Sequence, residues 1–285
     1  MHPIGAVFDY PYREFQTLCD SAHISSVSNQ ITQNYAKLTT DWTETLNSEW
    51  TCRVYLATKM ILNATALLNS LDFAKRSGLR TANPYFEYYA TLSLLRGIVF
   101  TLPTQKWDSG ELINISHEKA INIAFDWLSK FDKDTPIRLK KVVRQLKAQR
   151  ELIAYKAPAS GDRNLGNSYD LVKLLTILAE TAQYNSELLE LSVTKNADTA
   201  TFSVLDEHIH QISTVKIEGF IFSDDEDYYR LGYVRRKLRR PYNLALFMHP
   251  GQSEDFMGAW DGDEDNGEPF SQGSPSEWQA IFEVP

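Results

Sequence analysis

The sequence predicts a mainly α protein. A helical bundle spans about residues 50–195, an N-terminal helical extension covers 1–49, and a small C-terminal appendage, mixed α/β or partly disordered, covers 196–285. Three observations predict this. Apolar residues recur at i, i+3 and i+4 through most of residues 25–195. Capping residues and helix breakers punctuate that pattern. After about residue 200 the periodicity gives way to short β-branched and aromatic runs and then to a stretch rich in Gly, Ser, Asp and Glu.

The first helical segment, SVSNQITQNYAKLTTDWTETLNSE, is polar but periodic. The second carries Val54, Leu56, Met60, Ile61, Leu67 and Leu68 and stops at Gly78. A third begins with Asn83 as a cap and Pro84 at the first helical position. Ser116 caps a fourth, SHEKAINIAFDWLSKF. Thr135-Pro136 opens a fifth, which ends before Pro158. ASGDRNLGNS is a loop by composition, and YDLVKLLTILAETAQYNSELLELS is a long amphipathic helix with Leu171, Leu174, Leu175, Leu178 and Ala182 on one face. VKIEGFIFS, YNLALFMH and WQAIFEV are expected as short strands, and GQSEDFMGAWDGDEDNGEPFSQGSPSE as a loop. There is no internal repeat.

With 285 residues, 43% hydrophobic and 23% charged, the chain has the composition of a soluble globular protein that builds its core without staples. Cys19 and Cys52 are isolated, which fits a reduced, cytoplasmic setting. The first residues lack a basic start followed by an apolar run, and no apolar run is long enough to cross a membrane. Asn63-Ala64-Thr65 and Asn114-Ile115-Ser116 match the glycosylation pattern, by chance in a chain not expected to be exported. The net charge of −8 is uneven: acids gather in SDDEDYY and WDGDEDNGE, and between these lies RLGYVRRKLRRPY, with six basic residues between Arg230 and Arg240. This excludes a general polyanion binder and makes any nucleic-acid contact local.

Two arginines stand where apolar residues are expected. Leu139, Val142, Val143, Leu146, Arg150 and Ile153 form one stripe; Tyr85, Tyr88, Tyr89, Leu92, Arg96 and Val99 form another. A buried, unpaired guanidinium is costly. Either carboxylates such as Glu87 or Glu151 neutralise these cations, or they line a cleft and hold phosphate through a bidentate fork.

YYATLSLLRGIVF (88–100), then SHEKAINIAF (116–125), then QRELIAY (149–155) resembles, in order and spacing, the stand-alone bacterial HEPN proteins, over about residues 50–195. The resemblance implies an antiparallel bundle of four or five helices that homodimerises. It also implies a metal-independent RNase in a toxin–antitoxin or antiviral defence system, without cofactor. The family motif is an Arg followed after four to six residues by a His. Arg150 matches the Arg, which holds the scissile phosphate with Arg96 nearby. No His follows it: Tyr155, Lys156 and Ala157 stand there. Tyrosine, with a pKa of about 10, is a poor base at neutral pH. Some family members carry a Tyr near the motif that a partner nucleotidyltransferase modifies, a role Tyr155 could take. His117 is the remaining catalytic candidate, or else part of a capping turn.

Other signals are weaker. His208 and His210 form an HxH pair that could bind metal only on a strand, and no third ligand is evident. Asp261, Asp263 and Asp265 resemble the start of a calcium loop, but Asn266 and Gln272 replace the required Gly and Glu. Tyr233, Arg235, Arg236, Lys237, Arg239 and Arg240, with Tyr242, form a basic-aromatic stretch suited to nucleic acid, or a solvated face paired with the flanking acids. No Walker A, Rossmann, GxSxG or HExxH pattern occurs. Two functions follow as expectations. One is a HEPN-like protein that engages RNA or a nucleotide-bearing partner. The other is a noncatalytic adaptor that dimerises and binds another protein or system subunit through its C-terminal region.

Overall fold

A computed structural model describes residues 10–18, 21–163, 165, 169–262 and 271–284. Among the described residues the protein is mainly α, with one two-stranded hairpin. Helices α1 (Ser21–Thr40), α2 (Glu44–Arg76), α3 (Asn83–Thr101), α4 (His117–Leu128), α5 (Asp134–Lys156) and α6 (Leu171–Asn196) come first. Helix α7 (Asp206–Ser213), strands β1 (Thr214–Ile217) and β2 (Phe220–Ser223), and helices α8 (Asp225–Lys237), α9 (Leu244–Phe247), α10 (Pro250–Gly258) and α11 (Pro275–Trp278) follow.

Helix α2, 33 residues and so about 50 Å long, folds back on α3 through a turn that starts with Gly78 at φ +73°. The Thr43 hydroxyl caps α2 by accepting from the Leu46 amide at 3.2 Å. Helix α3 packs next on α6, and α4 and α5 cover its other side. Ser116 caps α4 as expected. Asn83 is not a cap but the first residue of α3. Helix α5 starts at Asp134, where the Asp132 carboxylate accepts the amides of Asp134 and Thr135 at 3.3 and 2.8 Å.

The hairpin forms where VKIEGFIFS predicts strands. Glu218 and Gly219 both take positive φ, which a tight hairpin turn requires. The other two expected strands are corrected. YNLALF contains helix α9, whose amides at Asn243, Leu244 and Ala245 are accepted by Glu190, Ser186 and Gln183 of α6 at 3.0–3.1 Å. WQAIFEV begins in the last residue of α11 and then runs irregularly with Ile281 and Phe282 buried. The expected 251–277 loop contains most of α10, which starts with Pro250 just before it. The Asp263–Asp265 part of the acidic loop lies outside the described residues.

One apolar cluster runs from Tyr10 to Val284, so all three sequence segments share a core; residue 49 lies inside α2. Buried Glu180 of α6 accepts the amides of Arg13, Glu14 and Phe15 at 2.7, 2.9 and 2.6 Å. The Tyr10 hydroxyl accepts from the Glu283 amide at 3.0 Å.

Candidate functional site

Helices α3, α4 and α5 bring Arg96, His117 and Arg150 together around two tyrosines. Tyr88 and Tyr89 sit side by side near the start of α3, centroids 5.2 Å apart. The first turn of α4 lays His117 against both, at 5.8 and 6.2 Å, and the Tyr88 hydroxyl hydrogen-bonds His117 Nδ1 at 3.0 Å. From α5, the Arg150 guanidinium lies 5.1 Å from the Tyr88 centroid and 5.7 Å from that of Tyr89, within cation–π range. Arg96, two turns along α3 from Tyr89, donates to the Ile115 carbonyl at 3.2 Å, just before α4 begins. Arg96, His117 and Arg150 are half-buried. Tyr155 is 74% exposed near the end of α5, close to Arg150.

Among the described residues neither Arg96 nor Arg150 has a carboxylate within ion-pair distance, and the Nε of each is buried without a hydrogen-bond partner. Glu87, the sequence candidate for neutralising them, is taken by Lys75 at 3.4 Å and by the Tyr169 hydroxyl at 3.0 Å. Burial opposes charge on both arginines. In Arg96 it prevails and lowers the pKa; in Arg150 the Tyr89, Tyr88 and Tyr155 hydroxyls prevail and raise it. Both remain cations at neutral pH. His117 is lowered by burial and then by Arg96, Arg150 and Lys147, which favours a neutral imidazole. Burial raises Tyr88 against the pull of Arg150, so its hydroxyl keeps its proton. A tetrahedral anion entering this cluster meets two fork-shaped donors and a neutral imidazole.

The other sequence candidates lie elsewhere. In the basic stretch, Arg235 pairs with Asp206, and Arg240 pairs with Glu190 at 3.4 Å while stacking on Tyr242 at 4.0 Å. Tyr233, Arg236, Lys237 and Arg239 are exposed. His208 and His210 lie on helix α7, the former buried and the latter 5.7 Å from the Tyr228 ring. Among the described residues no group of three or more His, Cys, Asp or Glu could hold a metal ion, and no helix is long and apolar enough to cross a membrane.

Two features were passed over in the sequence. Arg53 is fully buried; it stands three, seven and fourteen residues before Leu56, Met60 and Leu67, the same helical spacing that marks Arg96 and Arg150. Helix α5 carries a basic residue at every third position, Arg138, Lys141, Arg144, Lys147 and Arg150; scanning at that single spacing would have found it. No family model matches the sequence, and no curated protein and no solved structure matches it.

Proposed function

We propose that the protein engages the phosphate of RNA between Arg96 and Arg150 and cleaves the strand without metal. The observation that carries this reading is that two arginines without carboxylate partners flank one imidazole whose pKa is lowered. In the proposed reaction the guanidinium forks hold the non-bridging oxygens and stabilise the charge that builds on them. His117 accepts the ribose 2′-hydroxyl proton, the O2′–P bond forms, and the P–O5′ bond breaks. The proton passes to the departing 5′-oxygen, leaving a 2′,3′-cyclic phosphate and a 5′-hydroxyl. His117 takes the role that no residue after Arg150 fills in sequence. Homodimerisation, and a place in a toxin–antitoxin or antiviral system, belong to the same proposal through the HEPN resemblance.

The test is incubation of labelled RNA with the purified protein in a chelator. Wild type is expected to give cyclic-phosphate ends, and Arg150→Ala and His117→Ala to lose about 10²–10⁴ in rate. Uncleaved RNA, or variants as fast as wild type, would refute cleavage.

A second reading, the noncatalytic adaptor, is favoured by the hairpin, where Ile217, Phe220, Ile221 and Phe222 are exposed, Phe220 by 70%. Loss of a co-purifying protein on Phe220→Ser/Phe222→Ser, with RNA left intact by the wild type, would select it.

A further inference from the structure

We infer that the ridge Arg138–Lys141–Arg144–Lys147 on α5 is the path along which an RNA strand reaches Arg150. This rests on the phosphate-site reading above and adds where the rest of the strand lies.

Helix α5 holds seven basic and two acidic residues in a chain of net charge −8. Its buried residues are few, Pro136, Val143, Leu146 and Gln149, so most of its surface faces outward. Residues three apart lie about 5–6 Å from one another and form a ridge inclined at about 45° to the helix axis. At 3.6 residues per turn each step also moves about 60° around the axis, so the row winds about 240° around the outward side of the helix from Arg138 to Arg150. Arg138, Lys141 and Arg144 are exposed, while Lys147 and Arg150 are half-buried, so the ridge starts in solvent and ends beside His117.

The ridge is also under-neutralised. Arg138 donates to the Thr135 hydroxyl at 2.9 Å, and among the described residues Lys141 has no ion pair. Arg144 and Lys147 share a single carboxylate, Glu118, at 3.1 and 3.7 Å. Arg144 and Glu118 are exposed and Lys147 is half-buried, so the pairs are screened by solvent and phosphates can displace them. In the stretch at 230–240, Arg230, Arg235 and Arg240 are each held by an acid, while Arg236, Lys237 and Arg239 are exposed and, among the described residues, have no ion pair; what sets α5 apart is that its cations lead to Arg150. Like charge also argues against a second copy of α5 as the occupant of this face.

The experiment measures binding of a fluorescent 2′-O-methylated oligouridylate, which cannot be cleaved, by anisotropy across roughly 50–200 mM salt. For Arg138→Gln/Lys141→Gln/Arg144→Gln the slope of log K against log salt is expected to fall by about 2, at roughly 0.7 per lost phosphate contact on a single strand. Arg235→Gln/Lys237→Gln/Arg239→Gln should match wild type. A triple α5 variant that keeps wild-type affinity and slope, while Arg150→Ala loses binding, overturns the ridge and leaves the site reading standing. An equal loss in the 235–239 variant also overturns the ridge. Failure of the wild type to bind overturns both.

Discussion

The molecule treats its inward-facing arginines in two opposite ways. Arg53 of α2 is 1% exposed and fully engaged. It donates to the carbonyls of Phe100, Leu102 and Gln105 at 2.7–2.8 Å, bonds Glu49 at 3.0 Å, and lies 3.7 Å from the Trp50 centroid. The accepting carbonyls sit at and just beyond the C-terminus of α3, where acceptors are left over and the helix dipole favours a cation. Burial lowers its pKa to about 10, with Glu49 opposing, so it remains charged. Arg96 has one carbonyl, Arg150 has the Tyr88 and Tyr89 rings and the Tyr88 and Tyr155 hydroxyls, and each keeps a buried Nε unbonded. Donors that the protein has already matched hold a fold together; donors left over are free for something else.

That contrast can be broken in measurable ways. The largest expected effect is on Arg53→Ala, which strips several buried acceptors and an ion pair. A loss of about 3–5 kcal/mol is expected in urea denaturation, against less than about 1 kcal/mol for Arg150→Ala. Equal losses would erase the distinction. Next comes Arg150→Lys, which keeps the charge and loses the fork. Its unfolding midpoint should match wild type, while oligonucleotide affinity falls about tenfold, the worth of one charge-assisted hydrogen bond. Unchanged affinity would mean that a point charge suffices.

The smallest effect concerns pH. Because His117 has a lowered pKa when folded, its protonation favours the unfolded chain, and stability declines as pH falls through the ordinary histidine value of about 6.5. Removing a neighbouring cation by Arg150→Ala should move the folded His117 pKa back up and shrink that decline. Imidazole shifts followed by NMR titration check this. No movement would place Arg150 too far away to act on the ring.

Much of the bundle was legible. Gly78, Ser116 and the long α6 stripe mark real boundaries and a real face, because caps and periodicity act locally. Local patterning failed at YNLALF, where a short apolar run cannot be told from a strand. Its helical form rests on Gln183, Ser186 and Glu190, about sixty residues away in sequence, accepting its amides. In GQSEDFMG the loop-like composition outweighed a proline start. At the site, Arg96 and Arg150 stood out because they interrupt apolar stripes. That both meet His117 depends on how α4 is seated against α3 and α5, which no single helix encodes. Tyr88 appeared as a stripe member and as the start of the YYA motif, not as a partner of His117; its hydroxyl bond to the imidazole is a product of packing.

The shallow seating of α5 has a further consequence. Eighteen residues of α6 are buried but only four of α5, so α5 should detach well before the core unfolds and its amides should exchange early with deuterated solvent. A bound anion bridging Arg96 on α3 to Arg150 on α5 would stitch that loose helix to the interior, and slowed exchange along α5 would then report occupancy without any need for turnover.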